Sequence, residues 1–193
     1  MSTARPRIGR EFFQDLYARE EDPWGFADRD YEREKYAHTV AALGAARFER
    51  GLEVGCSIGV LTERLAALCT QLVAIDVSDR ALALALRRLG KRGDVTLSRM
   101  SFPEQMPAGR WDLVVCSEVL YYLDASAFDL ALERLRAVLL DGGDVLAVHW
   151  RPATASYPLR GDEVHDRLVD ELGEWHVMDD RRKQYRLDLF RGR

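Results

Sequence analysis

The stretch Leu52-Glu53-Val54-Gly55-Cys56-Ser57-Ile58-Gly59 decides how the rest of the chain is read. Gly51 to Val54 has the texture of a short strand, Gly55 to Gly59 is a turn of small residues, and Leu61 to Leu68 puts Leu61, Leu65 and Leu68 on one helical face. Gly55 permits a tight turn with positive φ, and Gly59 allows close packing where the turn meets its helix. Backbone opened in this way can approach a ligand and offer it N–H donors. The next strand, Gln71 to Asp76, carries the apolar run Leu72-Val73-Ala74-Ile75 and closes on Asp76 and Val77. Asp76 stands about 21 residues after Gly55, where a Rossmann-type sheet presents a carboxylate to the hydroxyls of a ribose.

Glu53 tells which nucleotide such a turn would suit. A dinucleotide seats its pyrophosphate on helix N–H groups, and a carboxylate at the turn repels it. A ligand with a cationic sulfur and an ammonium tail tolerates or welcomes that acid. The residues Glu53, Gly55, Cys56, Ser57, Gly59, Asp76 and Val77 are therefore expected to hold S-adenosylmethionine. The competing readings are a nicotinamide-dependent oxidoreductase, which Glu53 opposes, and a non-catalytic protein that keeps a donor pocket.

Outward from this stretch the chain alternates strand and helix. Ser78 is placed to cap a helix over Arg80 to Leu89. Val95 to Arg99, Trp111 to Cys116 and Asp144 to Trp150 read as strands, with a helix from Ala125 to Leu139 stopped by Asp141-Gly142-Gly143. Trp175 to Met178 and Tyr185 to Phe190 read as a hairpin whose charged tip is Arg181-Arg182-Lys183. Strand then helix, repeated, implies a mostly parallel α/β sheet with right-handed crossovers, and a terminal hairpin makes it mixed. Upstream, Glu11 to Glu20 and Asp30 to Leu43 read as helices separated by Asp22-Pro23-Trp24-Gly25, and Met1 to Gly9 as loose. This gives one domain over 1–193, with a helical cap over 1–45 and a Rossmann-like core over 46–193.

The 193 residues suit a single domain. With 28 Lys plus Arg against 32 Asp plus Glu, the formal charge of -4 speaks against a nucleic-acid partner. Cys56, Cys69 and Cys116 are odd in number and lack C-x-x-C spacing, so they are expected to be reduced packing residues of a cytoplasmic protein. No apolar run approaches the length of a membrane span, and the first ten residues lack a secretory apolar region. Gly161-Asp162-Glu163-Val164-His165-Asp166 groups possible metal ligands, but neighbours on a helix point apart, so a helix start is the simpler reading and no metal is expected. Asp162 and His165 are kept as possible sugar contacts.

Three blocks carry a family resemblance. Asp22-Pro23-Trp24-Gly25-Phe26 with Tyr31-Glu32-Arg33 and Lys35-Tyr36 is the first, Leu52 to Ala66 the second, and Trp111 to Leu123 the third. In this order they resemble the nodulation protein S family of class I methyltransferases, whose motif (D/E)-x-G-x-G-x-G appears here with Ser57 for the middle glycine. The resemblance implies a seven-stranded sheet of order 3-2-1-4-5-7-6, S-adenosylmethionine as donor, and a small-molecule acceptor such as the free amine of an amino sugar or chitooligosaccharide. Such enzymes often carry an acid after the third strand to meet adenine. Here Met100, Ser101 and Phe102 stand there and are expected to replace it by packing and a polar contact.

In-line methyl transfer needs positioning above all, and an amine acceptor must lose its proton. Strand four leads to Ser117, Glu118, Tyr121 and Tyr122, and strand five to His149 and Trp150, at the strand ends where open α/β sheets bind ligands. Ser117 is assigned to the donor. Glu118 is a candidate substrate ligand or proton acceptor and His149 a candidate base or substrate-binding group, and one of Tyr121 and Tyr122 is expected to face the acceptor because both cannot face the core. Trp24, Tyr31, Lys35 and Tyr36 are expected to form a lid over the donor.

Overall fold

The computed structural model describes residues 5–192. Seven strands form one sheet of order β3-β2-β1-β4-β5-β7-β6, the order that the family resemblance implies. The chain groups into two compact units, residues 9–101 and residues 102–192 with 5–8.

In the first unit, α1 (Arg10–Arg19) and α2 (Asp30–Ala42) precede β1 (Phe48–Val54), α3 (Val60–Leu65), β2 (Cys69–Asp76), α4 (Asp79–Leu89) and β3 (Val95–Arg99). β1 starts three residues earlier than its apolar pattern suggests, because Phe48 pairs in parallel with Cys69 and carries the ladder outward. Gly51, next along the strand, is closely packed: a Cβ there would lie 2.6 Å from Cys69 Sγ. α3 is shorter than expected, since after Leu65 the chain tightens into turns in which Leu68 N–H donates to the Leu65 carbonyl at 2.9 Å. Ser78 caps α4 as expected, its Oγ accepting from Ala81 N–H at 3.2 Å. Leu52, Leu65, Leu72 and Ile75 are buried and form the apolar interior between this half of the sheet and its helices.

In the second unit, β4 (Leu113–Ser117) leads through a 3-10 turn (Leu120–Tyr122) to α5 (Ala125–Leu140), β5 (Asp144–Trp150), α6 (Gly161–Leu172) and the hairpin of β6 (His176–Arg181) and β7 (Tyr185–Arg191). β4 and β5 are parallel, and β7 lies antiparallel between β5 and β6. β6 runs on through Arg181, so only part of the basic run forms the exposed hairpin tip. Asp124 caps α5 by accepting from Ala127 N–H at 3.0 Å. The segment read as loose is held over Arg5 to Ile8. Arg7 Nη2 donates to the Phe102 carbonyl at 2.6 Å and Ile8 N–H to the Tyr122 carbonyl at 2.9 Å. No helix among the described residues is long and apolar enough to cross a membrane.

Candidate active site

The turn after β1 is built around a left-handed backbone at three positions. Gly55 has φ 76° and Gly59 φ 81°, as a glycine permits. Between them Ser57 has φ 51°, the conformation for which the missing middle glycine would be suited. Two contacts hold a serine there. Its N–H donates to Asp76 Oδ2 at 2.9 Å, and its hydroxyl shares a very short hydrogen bond with the Tyr17 hydroxyl. Tyr17, on α1, is a support of the turn that local spacing did not reveal, because helical periodicity marks it only as apolar. Gly59 packs as expected: a Cβ there would sit 3.1 Å from Ala85 Cβ on α4.

Asp76 is a clamp as well as a potential ligand. Its Oδ1 accepts from Ser78 N–H at 2.8 Å while Oδ2 takes Ser57 N–H. A carboxylate has about four lone-pair directions, so acceptor capacity is left for a diol. Burial raises its pKa, against the stabilising N–H bonds from Ser78, Ser57 and Val77. Met100 N–H donates to the Asp76 carbonyl at 3.1 Å, which fixes Met100 and, next to it, the half-buried Ser101 at the same end of the parallel ladder.

Glu53 is only 2% exposed, and its Oε2 is buried with no hydrogen-bond partner among the described residues. Burial pushes its pKa up to about 7; the Thr62 hydroxyl works against the rise and the charge of Asp76 adds to it. A buried carboxyl oxygen without a partner costs free energy unless a cation or donor arrives. The arrangement therefore fits a ligand that is positively charged and carries no phosphate. Cys56, also buried, has a thiol raised well above its ordinary range by burial, so it is a packing residue in the turn.

Trp24 lies against the turn as part of an aromatic cluster. Its ring stacks on Phe26 at 5.4 Å and meets Tyr17 edge-on at 5.9 Å, packed with Ile58 and Ala81. The α2 half of the expected lid is packed structure. Lys35 and Tyr36 are buried, Lys35 Nζ pairs with Glu32 Oε2 at 2.9 Å, and the same ammonium lies 5.3 Å from the centre of the Tyr31 ring. Lys35 and Glu32 stand one turn apart on α2, so their buried pair lies within the helix and neutralises the charges that α2 buries.

In the second unit, Glu118 follows β4 and Ser117 with φ 55°, an uncommon conformation for a glutamate. Its N–H donates to the Val148 carbonyl at 2.8 Å, and its Oε2 accepts from the Tyr121 hydroxyl at 2.5 Å and from Trp150 N–H at 2.9 Å. Tyr121 and Tyr122 are both buried, which corrects the expectation that the two cannot both face the core. The 3-10 turn and Tyr157 explain it: the Tyr157 ring stacks on Tyr121 and meets Tyr122 edge-on, each at 4.8 Å. Phe102, expected against adenine, is buried in this unit.

His149 is fully buried, and both ring nitrogens are engaged. Nε2 accepts from Leu120 N–H at 3.1 Å, and Nδ1 faces His165 Nε2 at 3.1 Å. It offers no lone pair to an acceptor, so the candidate base becomes a holding group. His165 is fully buried too, which removes it as a sugar contact. The acidic cluster disperses. Asp162 takes Arg151 Nε at 2.8 Å, Glu163 takes Arg160 N–H at 2.7 Å, and Asp166 takes Arg186 Nη1 at 2.7 Å.

The model of the family described as nodulation protein S (NodS) matches residues 11–151. The chain belongs to the nodulation protein S family. Family members from Sinorhizobium fredii and Rhizobium tropici are each 32% identical to it over 128 residues, 65% of this chain. The matched region spans 59% and 54% of those relatives, so the chain accounts for under two thirds of their length. Among solved family structures, the N-methyltransferase NodS from Bradyrhizobium japonicum WM9, in complex with S-adenosyl-L-homocysteine, is 25% identical. That comparison covers 93% of this chain and 97% of the other, with a TM-score of 0.76.

Proposed function

We propose that this protein is an S-adenosylmethionine-dependent methyltransferase that methylates the amine of a small molecule, with an amino sugar or short glucosamine oligosaccharide as the favoured class. The observation that carries the reading is Glu53: a buried carboxylate with an orphan oxygen at the mouth of a Gly55–Gly59 turn, beside the diol-ready Asp76. A phosphate-bearing cofactor is disfavoured there, and an ammonium-bearing adenosyl ligand satisfies both acids. The residues that would hold it are Glu53, Gly55, Ser57, Gly59, Asp76 and Val77, with Met100 and Ser101 toward its base and Trp24 flanking the turn. When bound, it supplies an electrophilic methyl group on a cationic sulfur.

On the acceptor side, Glu118 is the residue we assign to the incoming amine. A left-handed, non-glycine residue is held in place at a cost of about 1–3 kcal/mol, and such outliers gather at functional sites. Tyr121 and Trp150 N–H orient its carboxylate. A carboxylate in that position would bind the ammonium form of an acceptor and take up the proton it must lose before attack. The named activity of the Bradyrhizobium relative, N-methylation, agrees with this choice. The three buried, unbridged cysteines suit a cytoplasmic setting.

Incubation with S-adenosylmethionine and a panel of acceptors tests the proposal by mass spectrometry. Glucosamine oligomers should gain a methyl group on nitrogen, while their N-acetylated counterparts should not. Equal methylation of acetylated oligomers, or of hydroxyl-only acceptors, would overturn the amine assignment. Reduction of a nicotinamide in place of methyl transfer would overturn the donor.

A further inference from the structure

Behind the Glu118 loop lies a chain of buried polar groups that none of the proposed chemistry uses. Leu120 N–H donates to His149 Nε2 at 3.1 Å, His149 Nδ1 faces His165 Nε2 at 3.1 Å, and His165 Nδ1 faces Asp188 Oδ2 at 2.5 Å. Beyond it Arg186 Nε lies 3.0 Å from Asp188 Oδ2, and His176 Nε2 lies 2.8 Å from Asp188 Oδ1. His149, His165 and Asp188 are fully buried, and each comes from a different element, β5, α6 and β7.

The direction of every bond in this chain is fixed at one end by a backbone amide. Leu120 N–H can only donate, so His149 Nε2 must keep its lone pair. The neutral ring then carries its proton on Nδ1 and donates to His165 Nε2. His165 in turn must carry its proton on Nδ1 and donate to Asp188. Asp188 closes the chain as a carboxylate. Burial raises its pKa, but the hydrogen bond and charge of His165, with Arg186 and His176, bring it below the ordinary range. Leu120 opens the 3-10 turn, where an N–H has no partner within the helix. The next residue, Tyr121, donates to Glu118.

We propose that His149 and His165 are positioning residues of the acceptor site, with Asp188 setting the tautomer of both rings so that His149 Nε2 holds Leu120 N–H and seats Tyr121 against Glu118. The assignment rests on the methyltransferase reading for its catalytic consequence, though not for its geometry. A second proton on either ring would set donor against donor, first between the two imidazoles and then at Leu120. The groups that bear on this titration are Asp188 and Arg186 on β7, His176 and Asp179 on β6, Asp162 and Asp166 on α6, and Glu118 and Tyr121 on the loop. Burial lowers the pKa of His165 despite the opposing hydrogen bond and charge of Asp188, which favours the neutral ring there.

Two substitutions separate positioning from mere packing. His149→Gln can place an amide oxygen near the Nε2 position and still accept from Leu120 N–H. His149→Asn reaches only the Nδ1 position and leaves that N–H bare. With a glucosamine oligomer as acceptor, His149→Asn should lower kcat by about tenfold or more, the loss of one buried donor's partner. Donor affinity should be unchanged, and His149→Gln should recover most of the rate. Nitrogen-15 NMR of the free wild-type protein should show both rings protonated on Nδ1 alone at neutral pH. Slow exchange of the Leu120 amide should persist in His149→Gln and be lost in His149→Asn. An Nε2-protonated ring at His149 or His165, or equal Leu120 exchange in the two variants, would overturn the proposal. So would a His149→Asn kcat equal to that of the wild type. If the wild type methylates nothing, the methyltransferase reading fails, while the tautomers and the Leu120 amide still decide the relay by themselves.

Discussion

Replacing Glu53 by Gln should make the stability of the ligand-free protein fall less, or rise more, between mildly acidic and mildly basic pH. Burial moves this carboxyl from an ordinary 4.5 to about 7. As pH rises through 4.5, the unfolded chain releases the proton while the folded chain keeps it. The folded state therefore holds more protons in that window, and stability falls until pH passes about 7, then levels off. The interval of roughly 2.5 units at 1.36 kcal/mol each gives about 3 kcal/mol. No reduction for solvent screening applies, because the side chain is 2% exposed. For a chain of this size the same quantity is roughly 6–12 °C in melting temperature. The assay is urea unfolding of wild type and Glu53→Gln at pH 5 and pH 8. The variant's absolute stability is set by how its amide is accommodated, so only the difference between the two pH values is read. Parallel pH dependences for the two proteins would refute the buried, protonated Glu53 and with it the orphan-oxygen argument.

Gly59→Val should cost about 2–3 kcal/mol in urea unfolding, since its Cβ would meet Ala85 at 3.1 Å in a left-handed backbone; a loss below about 0.5 kcal/mol would contradict the close packing. Lys35→Met should destabilise by about 3–5 kcal/mol by leaving Glu32 buried without its ammonium, and adding Glu32→Gln should restore part of that. Additive effects of the two substitutions would deny the pair. Tyr17→Phe removes only the hydroxyl that holds Ser57 and should weaken donor binding about fivefold by calorimetry, an effect that Ser57→Gly should largely cancel by suiting the left-handed turn without help.

The strand-turn-helix at Glu53–Gly59 and the acid at Asp76 were legible because they depend on spacing along a few residues. The same holds for the caps at Ser78 and the alternation that gives the sheet. Ser57 was read as a departure from a glycine pattern, but the groups that make it tolerable, Tyr17 and Asp76, reach it from elements 40 and 19 residues away. Local patterns carry no record of such pairs. The fate of Tyr121 and Tyr122 depended on Tyr157, 35 residues beyond Tyr122, which covers both rings from a loop with no periodicity of its own. His149 looked like a free group at a strand end because its partners sit on the 3-10 turn and on α6. One signal was present. Arg186 and Asp188 stand two apart inside the buried strand Tyr185–Arg191, and charges on one face of such a strand must find partners.

Titration calorimetry of the purified protein against S-adenosylmethionine, S-adenosylhomocysteine and NADH tests the central claim most directly. The two adenosyl ligands should bind one per chain, Asp76→Ala and Glu53→Gln should each weaken them by about tenfold or more, which is about 1.4 kcal/mol, and NADH should give no heat. Binding of NADH, or adenosyl binding indifferent to both substitutions, would contradict the account.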